Sequence, residues 1–447
     1  MKARPALLML AGFLAWTGGA RLATSASDAG MAPPPAAANW GSSMEAPPRP
    51  SGPHKPGLPW LQTLIDDAPP GSTLRIPTGE YSGPALIDKP LLIEGDGKVV
   101  VDGGGKGTVL VLHANGATIR GLHLRGSGDS HDSDDACLNV RGHHNLIERL
   151  KIDDCLFGID LKQANDNTLR GNFVRSKPFD LGVRGDGLRL WYSHRNLIEA
   201  NEVVDSRDMV AWYSNENTYR GNIGRRSRYS IHFMFANNNI VEGNRFYDNA
   251  VGVYFMYAEG GAARDNVISH ATGAAGMAFG FKEASDIVLE DNEIVYCAVG
   301  IGSDLSPYQP DPTIRFLRNR FAYNGIAMQF TSELGGNIVN DNIFEGNLTD
   351  VFQAGRGKGD LNKWSGNYFD SYQGFDRDND GIGDTSHEHY SYADQLWMEV
   401  PVARFFLTAP VMELLDFLER LAPFSSPELQ LKDARPRFQK PSMKALS

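Results

Sequence analysis

The chain has 447 residues, a formal net charge of −11 and only three cysteines, so it is long enough for one large domain or two to three ordinary ones. The acidic balance argues against nucleic acid, whose phosphates call for a basic face. Three cysteines are too few for a disulfide scaffold, whereas 48 glycines suit a chain built of turns.

Residues 1–26, MKARPALLMLAGFLAWTGGARLATSA, place Lys2 and Arg4 before a short apolar run and then small residues. The pattern predicts a secretory signal peptide, cleaved between Ala20 and Ala26. No later stretch has ~18 uninterrupted apolar residues, which predicts a soluble exported protein. Residues 27–58 are rich in Pro, Ala and Gly and read as a flexible leader. Next, PWLQTLIDDAPPGSTLRIPTGEY predicts a short amphipathic helix, placed to cap the open end of the β-rich segment after it, and then a first strand.

From there to residue 370 the chain repeats. The segments NLIERLKIDDC, NTLRGNFVRS, NLIEANEVVDS, NTYRGNIGRRS, NIVEGNRFYDN and NIVNDNIFEGN each open on Asn, and most reach a second Asn five residues later. That second Asn falls at Asn172, Asn201, Asn222, Asn244, Asn266, Asn292, Asn319, Asn342 and Asn367, most often 21–23 residues apart. Short β-type runs with Gly/Asn turns at this period predict an all-β, right-handed parallel β-helix over residues 59–370, with the asparagines stacked as a turn ladder. Cys155 and Cys297 share one coil position but lie six coils apart, roughly 29 Å at ~4.8 Å per coil, beyond disulfide reach. Both are expected as core thiols.

Ten residues before four successive ladder asparagines stand Trp191, Trp212, Met234 and Met256, with Lys282 next in phase. Strand alternation then assigns Leu188, Leu190, Tyr192, Met209, Ala211, Tyr213, Ile231, Phe233, Phe235, Val253, Phe255 and Tyr257 to the interior. The opposite face carries Arg189, Trp191, Val210, Trp212, His232, Met234, Tyr254 and Met256. His232, Met234 and Met256 offer one imidazole and two thioethers, a soft set suited to transient Cu(I). Arg189, Trp191, Trp212, Tyr254 and Lys282 make a partner-docking surface, and the same face serves equally as a docking surface without metal.

Residues 371–390 hold FDRDNDGIGDTSHE, in which Asp376, Asp378, Asp380 and Asp384 surround Gly381 in the frame of a calcium loop, with the Ile382 carbonyl as a further ligand. The twelfth position is His387 rather than a bidentate Glu. Residues 391–447 read as a helical and extended tail, its apolar part at 402–424.

The blocks GDGLRLWYSHRNLIEANEVVDSRDMVAWYSNENTYRGN, RYSIHFMFANNNIVEGNRFYDNAVGVYFMYAEG and GNYFDSYQGFDRDNDGIGD resemble the NosD family, and the likeness runs from Trp60 to Phe438. The resemblance implies a periplasmic accessory subunit of an ABC transporter, reaching the membrane only through a permease served by a cytoplasmic ATPase. It further implies a role in assembling the copper–sulfur centre of nitrous oxide reductase, with that reductase and a copper chaperone lipoprotein as partners. No catalytic residues are implied. Two other classes use such coils: carbohydrate-active lyases and epimerases, and metal-free structural adaptors. The enzymes need carboxylates converging with His or Arg, whereas Asp134-Asp135 and Arg207-Asp208 stand as isolated pairs in the sequence.

Overall fold

The computed structural model describes residues 47–391 and 428–442, apart from 274, 310, 312, 333 and 354–360, together with Leu414 and Leu418. The chain winds as a right-handed parallel β-helix in which each coil contributes short strands to three faces. One face is a sheet of twelve parallel strands, from Ala85–Ile87 to Thr349–Gln353. On this face Trp191 pairs with Trp212, Trp212 with Met234, Met234 with Met256, and Met256 with Lys282. The ten-residue phase therefore reports true register.

Inside the stack, apolar side chains from alternate strand positions form one continuous core. Leu188, Leu190, Ile231, Phe233, Val253 and Phe255 are all buried. Phe233 stacks on Phe255 at 5.1 Å and Phe255 on Phe281 at 5.4 Å, so identical positions in successive coils pack on one another.

The asparagines form the expected ladder. Asn222 Nδ2 donates to Asn244 Oδ1 at 2.9 Å, and Asn244 Nδ2 donates to Asn266 Oδ1 at 2.9 Å. The second amide hydrogen of each reaches a backbone carbonyl of an earlier coil, such as Tyr219 O from Asn244. These turn amides are thereby satisfied without water. The residue before each of these ladder positions is left-handed (Gly221 at φ 61°, Gly243 at φ 64°), which is why Gly recurs there.

A second left-handed corner corrects one assignment. Tyr192, Tyr213, Phe235 and Tyr257, expected inside by alternation, have φ of 48°, 50°, 50° and 53° and are half-buried. The strands end one residue earlier, at Trp191, Trp212, Met234 and Met256. A positive φ breaks the period of two and turns the next side chain out of the core.

Helix Leu61–Asp67 closes the first coil, burying Leu61, Gln62 and Ile65. The Gln62 side chain accepts from Leu86 N at 2.6 Å and donates to Leu86 O at 3.1 Å, which satisfies an otherwise open strand edge. The leader does not extend freely to residue 58. His54 N donates to Gly83 O at 2.8 Å and Lys55 Nζ pairs with Asp102 at 2.7 Å, so residues 47–58 are fastened to the first coils. The expected signal peptide and the leader up to residue 46 lie outside the described residues.

At the far end, strand Glu428–Asp433 runs antiparallel to His387–Ser391, and Asp433 pairs with Trp364 of the coil stack. Asp433 Oδ2 accepts from Asn367 N and Asn367 Nδ2 at 3.0 and 2.8 Å, so a carboxylate ends the asparagine ladder. The tail thus returns to the β-helix as a strand. Most of 402–424 lies outside the described residues; Leu414 and Leu418 are helical. Among the described residues no helix is long and apolar enough to cross a membrane.

The cysteines also differ from expectation. Cys155 is joined to Cys137 in a disulfide with a Cα separation of 5.6 Å, while Cys297 is a buried free thiol. Comparing Cys155 only with its equal-phase partner overlooked Cys137, which lies 18 residues earlier on a strand of a different face of the stack.

Candidate functional site

The outer side of the twelve-stranded face carries two neighbouring columns. The first runs Lys162, Trp191, Trp212, Met234, Met256, Lys282 and Asp304, an apolar centre with charge at both ends. Trp191 is 37% exposed, Trp212 and Met234 are half-buried, and Met256 is 9% exposed. The two indoles stack at 5.5 Å. Along the adjoining corner Tyr192, Tyr213, Phe235 and Tyr257 stack at 4.9, 5.2 and 4.7 Å. Lys282 Nζ lies 5.6 Å from the Tyr257 ring, a cation–π contact at the end of the ridge.

The second column runs Asp160, Arg189, Val210, His232, Tyr254 and Gly280. It is far less open than the docking surface expected of it. Arg189 contacts Asp160 Oδ1 at 2.8 Å and Asp134 Oδ1 at 2.6 Å, and its guanidinium lies 4.1 Å from the Phe157 ring centre. Arg189 is therefore bound into a buried ionic group rather than offered to a partner. Asp134 reaches it from a surface loop, a convergence that sequence spacing did not reveal.

His232 stands on the outer side of the sheet but is only 7% exposed. Tyr229 and Tyr254 cover it, with ring centres at 4.8 and 6.0 Å. Its Nδ1 is 3.9 Å from Asp208 Oδ2, and its Nε2 has no hydrogen-bond partner among the described residues. Arg228 also engages Asp208, its Nε at 3.1 Å from Oδ1 and its Nη2 on Oδ2. Burial opposes the Asp208 charge, yet His232 and Arg228 together hold the carboxyl below its ordinary value. Nearby Asp186 accepts from Arg207 at 2.9 and 3.0 Å; burial, helped by the charge of Asp208, pushes Asp186 up to about 6. The supposedly isolated Arg207-Asp208 pair thus belongs to a larger network with Asp186, Arg228 and His232.

Gly280 explains how Tyr254 fits. A Cβ at this position would collide with the Tyr254 ring and lie 2.8 Å from Met277 Sδ. Met277 thereby reaches the same surface from the next column, and counting ten back from the ladder did not find it. The donor chemistry here fits a soft monovalent metal: thioethers of Met234 and Met256 in adjacent strands, and a buried imidazole nitrogen lacking a partner among the described residues.

In the acidic loop, carboxylate oxygens of Asp376, Asp378 and Asp380 all lie within 4.8 Å of one another. Asp376 accepts from Gly381 N at 3.0 Å and Asp380 from Ile382 N at 2.7 Å, so the turn closes around its acidic side. Asp384, expected as a fourth carboxylate, instead accepts from Arg377 N at 2.9 Å and stands outside that cluster. The loop rests on the tail through Gly383 N to Pro436 O at 2.7 Å and Phe438 N to Gly381 O at 3.0 Å.

Fold and surface together define a parallel β-helix protein whose outer face carries an aromatic and thioether stripe. A family model described as "Right handed beta helix region" matches residues 107–223, and one described as "Periplasmic copper-binding protein (NosD)" matches residues 172–374. The chain is 29% identical over 405 residues to a "Probable ABC transporter binding protein NosD" of Pseudomonas aeruginosa, covering 80% of this chain and 88% of that protein. It is 26% identical over 416 residues to the protein of the same description from Stutzerimonas stutzeri, covering 83% and 88%. Among solved structures, the A-module of the Azotobacter vinelandii mannuronan C-5 epimerase AlgE6 aligns with a TM-score of 0.49 at 15% identity, over 70% of this chain and 95% of that one. Over most of its length the chain is thus similar to proteins described as NosD.

Proposed function

We propose that the chain is exported to the periplasm and acts there as a copper-handling and docking subunit of an ABC transporter system. In this reading Cu(I) is cargo, held briefly by Met234 and Met256 with His232 and released to a partner. The stripe around Trp191, Trp212 and Lys282 is the surface on which that partner sits. The wider role is assembly of the copper–sulfur centre of nitrous oxide reductase, with a permease and its cytoplasmic ATPase, a copper chaperone lipoprotein and the reductase as partners.

One observation carries the reading. The segment matching the periplasmic copper-binding family, 172–374, contains the whole Trp191, Trp212, Met234 and Met256 column. Thioethers favour Cu(I) over harder ions, and a site with few strong donors suits a carrier that has to let go. Asp186 and Asp208 do converge with Arg207, Arg228 and His232, as a carbohydrate-active enzyme would need, but both carboxylates are buried and each is engaged by an arginine, which favours a structural role for the group. In the acidic loop Ca2+ would be held by Asp376, Asp378 and Asp380, tying the tail to the last coils.

The test is competition for Cu(I) between the purified protein and a chromogenic chelator. The wild type should take up Cu(I), and a Met234→Leu, Met256→Leu variant should bind at least about ten times more weakly, since volume-conserving Met-to-Leu swaps leave packing nearly intact. Equal affinity in the two proteins would refute the assignment.

A further inference from the structure

We propose that Asp208 is a positioning residue for His232: it holds the imidazole as the Nδ1–H tautomer, so that Nε2 is the single atom presented to a soft metal. The proposal rests on the copper reading above and names how its buried ligand is prepared.

Three observations point the same way. A register shift lies between Asp208 and Val210, which pair with Tyr229 and His232, so strand Tyr229–Met234 has one extra residue there. Such a bulge re-aims side chains. Here it sets the Asp208 carboxylate diagonally beside the imidazole, with Nδ1 3.9 Å from Oδ2. At that distance the contact is electrostatic rather than a formed hydrogen bond, and the carboxylate favours a proton on the ring nitrogen that faces it.

Second, Asp208 is itself fixed. Its Oδ1 accepts from Tyr229 N at 3.2 Å and Arg228 Nε at 3.1 Å, and Arg228 Nη2 binds Oδ2. The Arg228 guanidinium lies 4.8 Å from the Tyr229 ring centre, and Tyr229 in turn covers His232. Arginine, carboxylate and imidazole therefore form one packed relay, with Tyr254 on the other side of the ring.

Third, Nε2 is buried without a partner among the described residues. A buried polar atom left unsatisfied costs about 1–3 kcal/mol, so its retention needs a reason. With Nδ1 protonated toward Asp208, Nε2 keeps its lone pair for a metal. The opposite tautomer would bury an N–H with no acceptor and set a lone pair against a carboxylate. Carboxylate, imidazole and metal in this order is how outer partners fix ligand histidines generally.

The experiment has two arms. Long-range 1H–15N correlation on the metal-free, 15N-histidine-labelled protein, with the His232 signal identified by its loss in His232→Asn, should show protonated Nδ1 and unprotonated Nε2. An Nε2–H tautomer overturns the proposal whether or not copper binds. In the second arm, Asp208→Asn should weaken Cu(I) binding by roughly ten- to one-hundred-fold in the wild-type background, the usual range for such outer partners, and have no added effect in His232→Asn. Equal losses in both backgrounds would mean general damage and overturn it. A wild type that binds no Cu(I) removes the copper reading, while the tautomer still decides the positioning role.

Discussion

Replacing Asn244 by alanine tests whether the asparagine ladder stabilises the coils through hydrogen bonds rather than by filling a turn. The side chain makes four: Asn222 N and Nδ2 donate to its Oδ1 at 2.8 and 2.9 Å, and its Nδ2 donates to Asn266 Oδ1 and Tyr219 O, each at 2.9 Å. Asn244 and Asn222 are fully buried, so the freed Asn222 N–H gains no water in exchange. At about 1 kcal/mol net per bond, plus about 1–3 kcal/mol for a stranded buried donor, and allowing for partial relaxation, the loss should be about 3–5 kcal/mol. Stacked coils unfold as coupled units, so the assay pairs guanidinium denaturation with hydrogen exchange of the Asn222 amide. The comparison is Arg170→Ala, which removes an ion pair to Glu199 at 2.8 Å on a half-exposed side chain and should cost about 0–1 kcal/mol. If Asn244→Ala costs no more than Arg170→Ala and leaves Asn222 protected, the ladder is not a source of stability.

Asp350 is buried in the last strand of the twelve-stranded face, and burial, with Asp370 nearby, pushes its carboxyl up to about 7. A raised carboxyl favours folding below its unfolded value and loses that advantage as pH rises toward 7, so Asp350→Asn should flatten the decline in stability between pH 4 and 7. A variant as pH-dependent as the wild type would contradict this. Gly280→Ala should displace the Tyr254 ring, lowering the melting temperature and raising the solvent accessibility of His232; unchanged Tyr254 and His232 resonances would show that the pocket gives way without cost. Alanine at both Cys137 and Cys155, which close a loop of 18-residue separation, should destabilise by about 3 kcal/mol, checked by denaturation of oxidised wild type against the variant. Calcium chelation should lower the melting temperature of wild type and leave Asp380→Ala unmoved, and equal responses would dismiss the acidic loop as a cation site.

Wherever the physics is periodic, the architecture could be read from the residues. The asparagine positions set out the coil length, and the ten-residue phase placed Trp191, Trp212, Met234 and Met256 in one column, as the strand pairing shows. What alternation could not supply was the place where a strand stops: Tyr192, Tyr213, Phe235 and Tyr257 left the core because the backbone turns left-handed at each. The burial of His232 depended on a bulge and on Tyr229 arriving three residues earlier, neither of which has a periodic signature. Asp134 reached Arg189 through a loop, and Cys137 reached Cys155 from a strand on another face of the stack. Met277 enters the stripe from a neighbouring column because Gly280 and Gly302 leave room for its sulfur. Such contacts depend on side-chain length and loop path, which a repeat count does not contain.

Copper K-edge absorption of the Cu(I)-loaded protein tests the central claim most directly, because it identifies the atoms that hold the metal. Sulfur scatterers from Met234 and Met256 with one imidazole nitrogen are expected. The sulfur shell should diminish in Met234→Leu and Met256→Leu, and the nitrogen shell should vanish in His232→Asn. A spectrum of nitrogen and oxygen ligands alone, or a sulfur shell untouched by either methionine substitution, would contradict it.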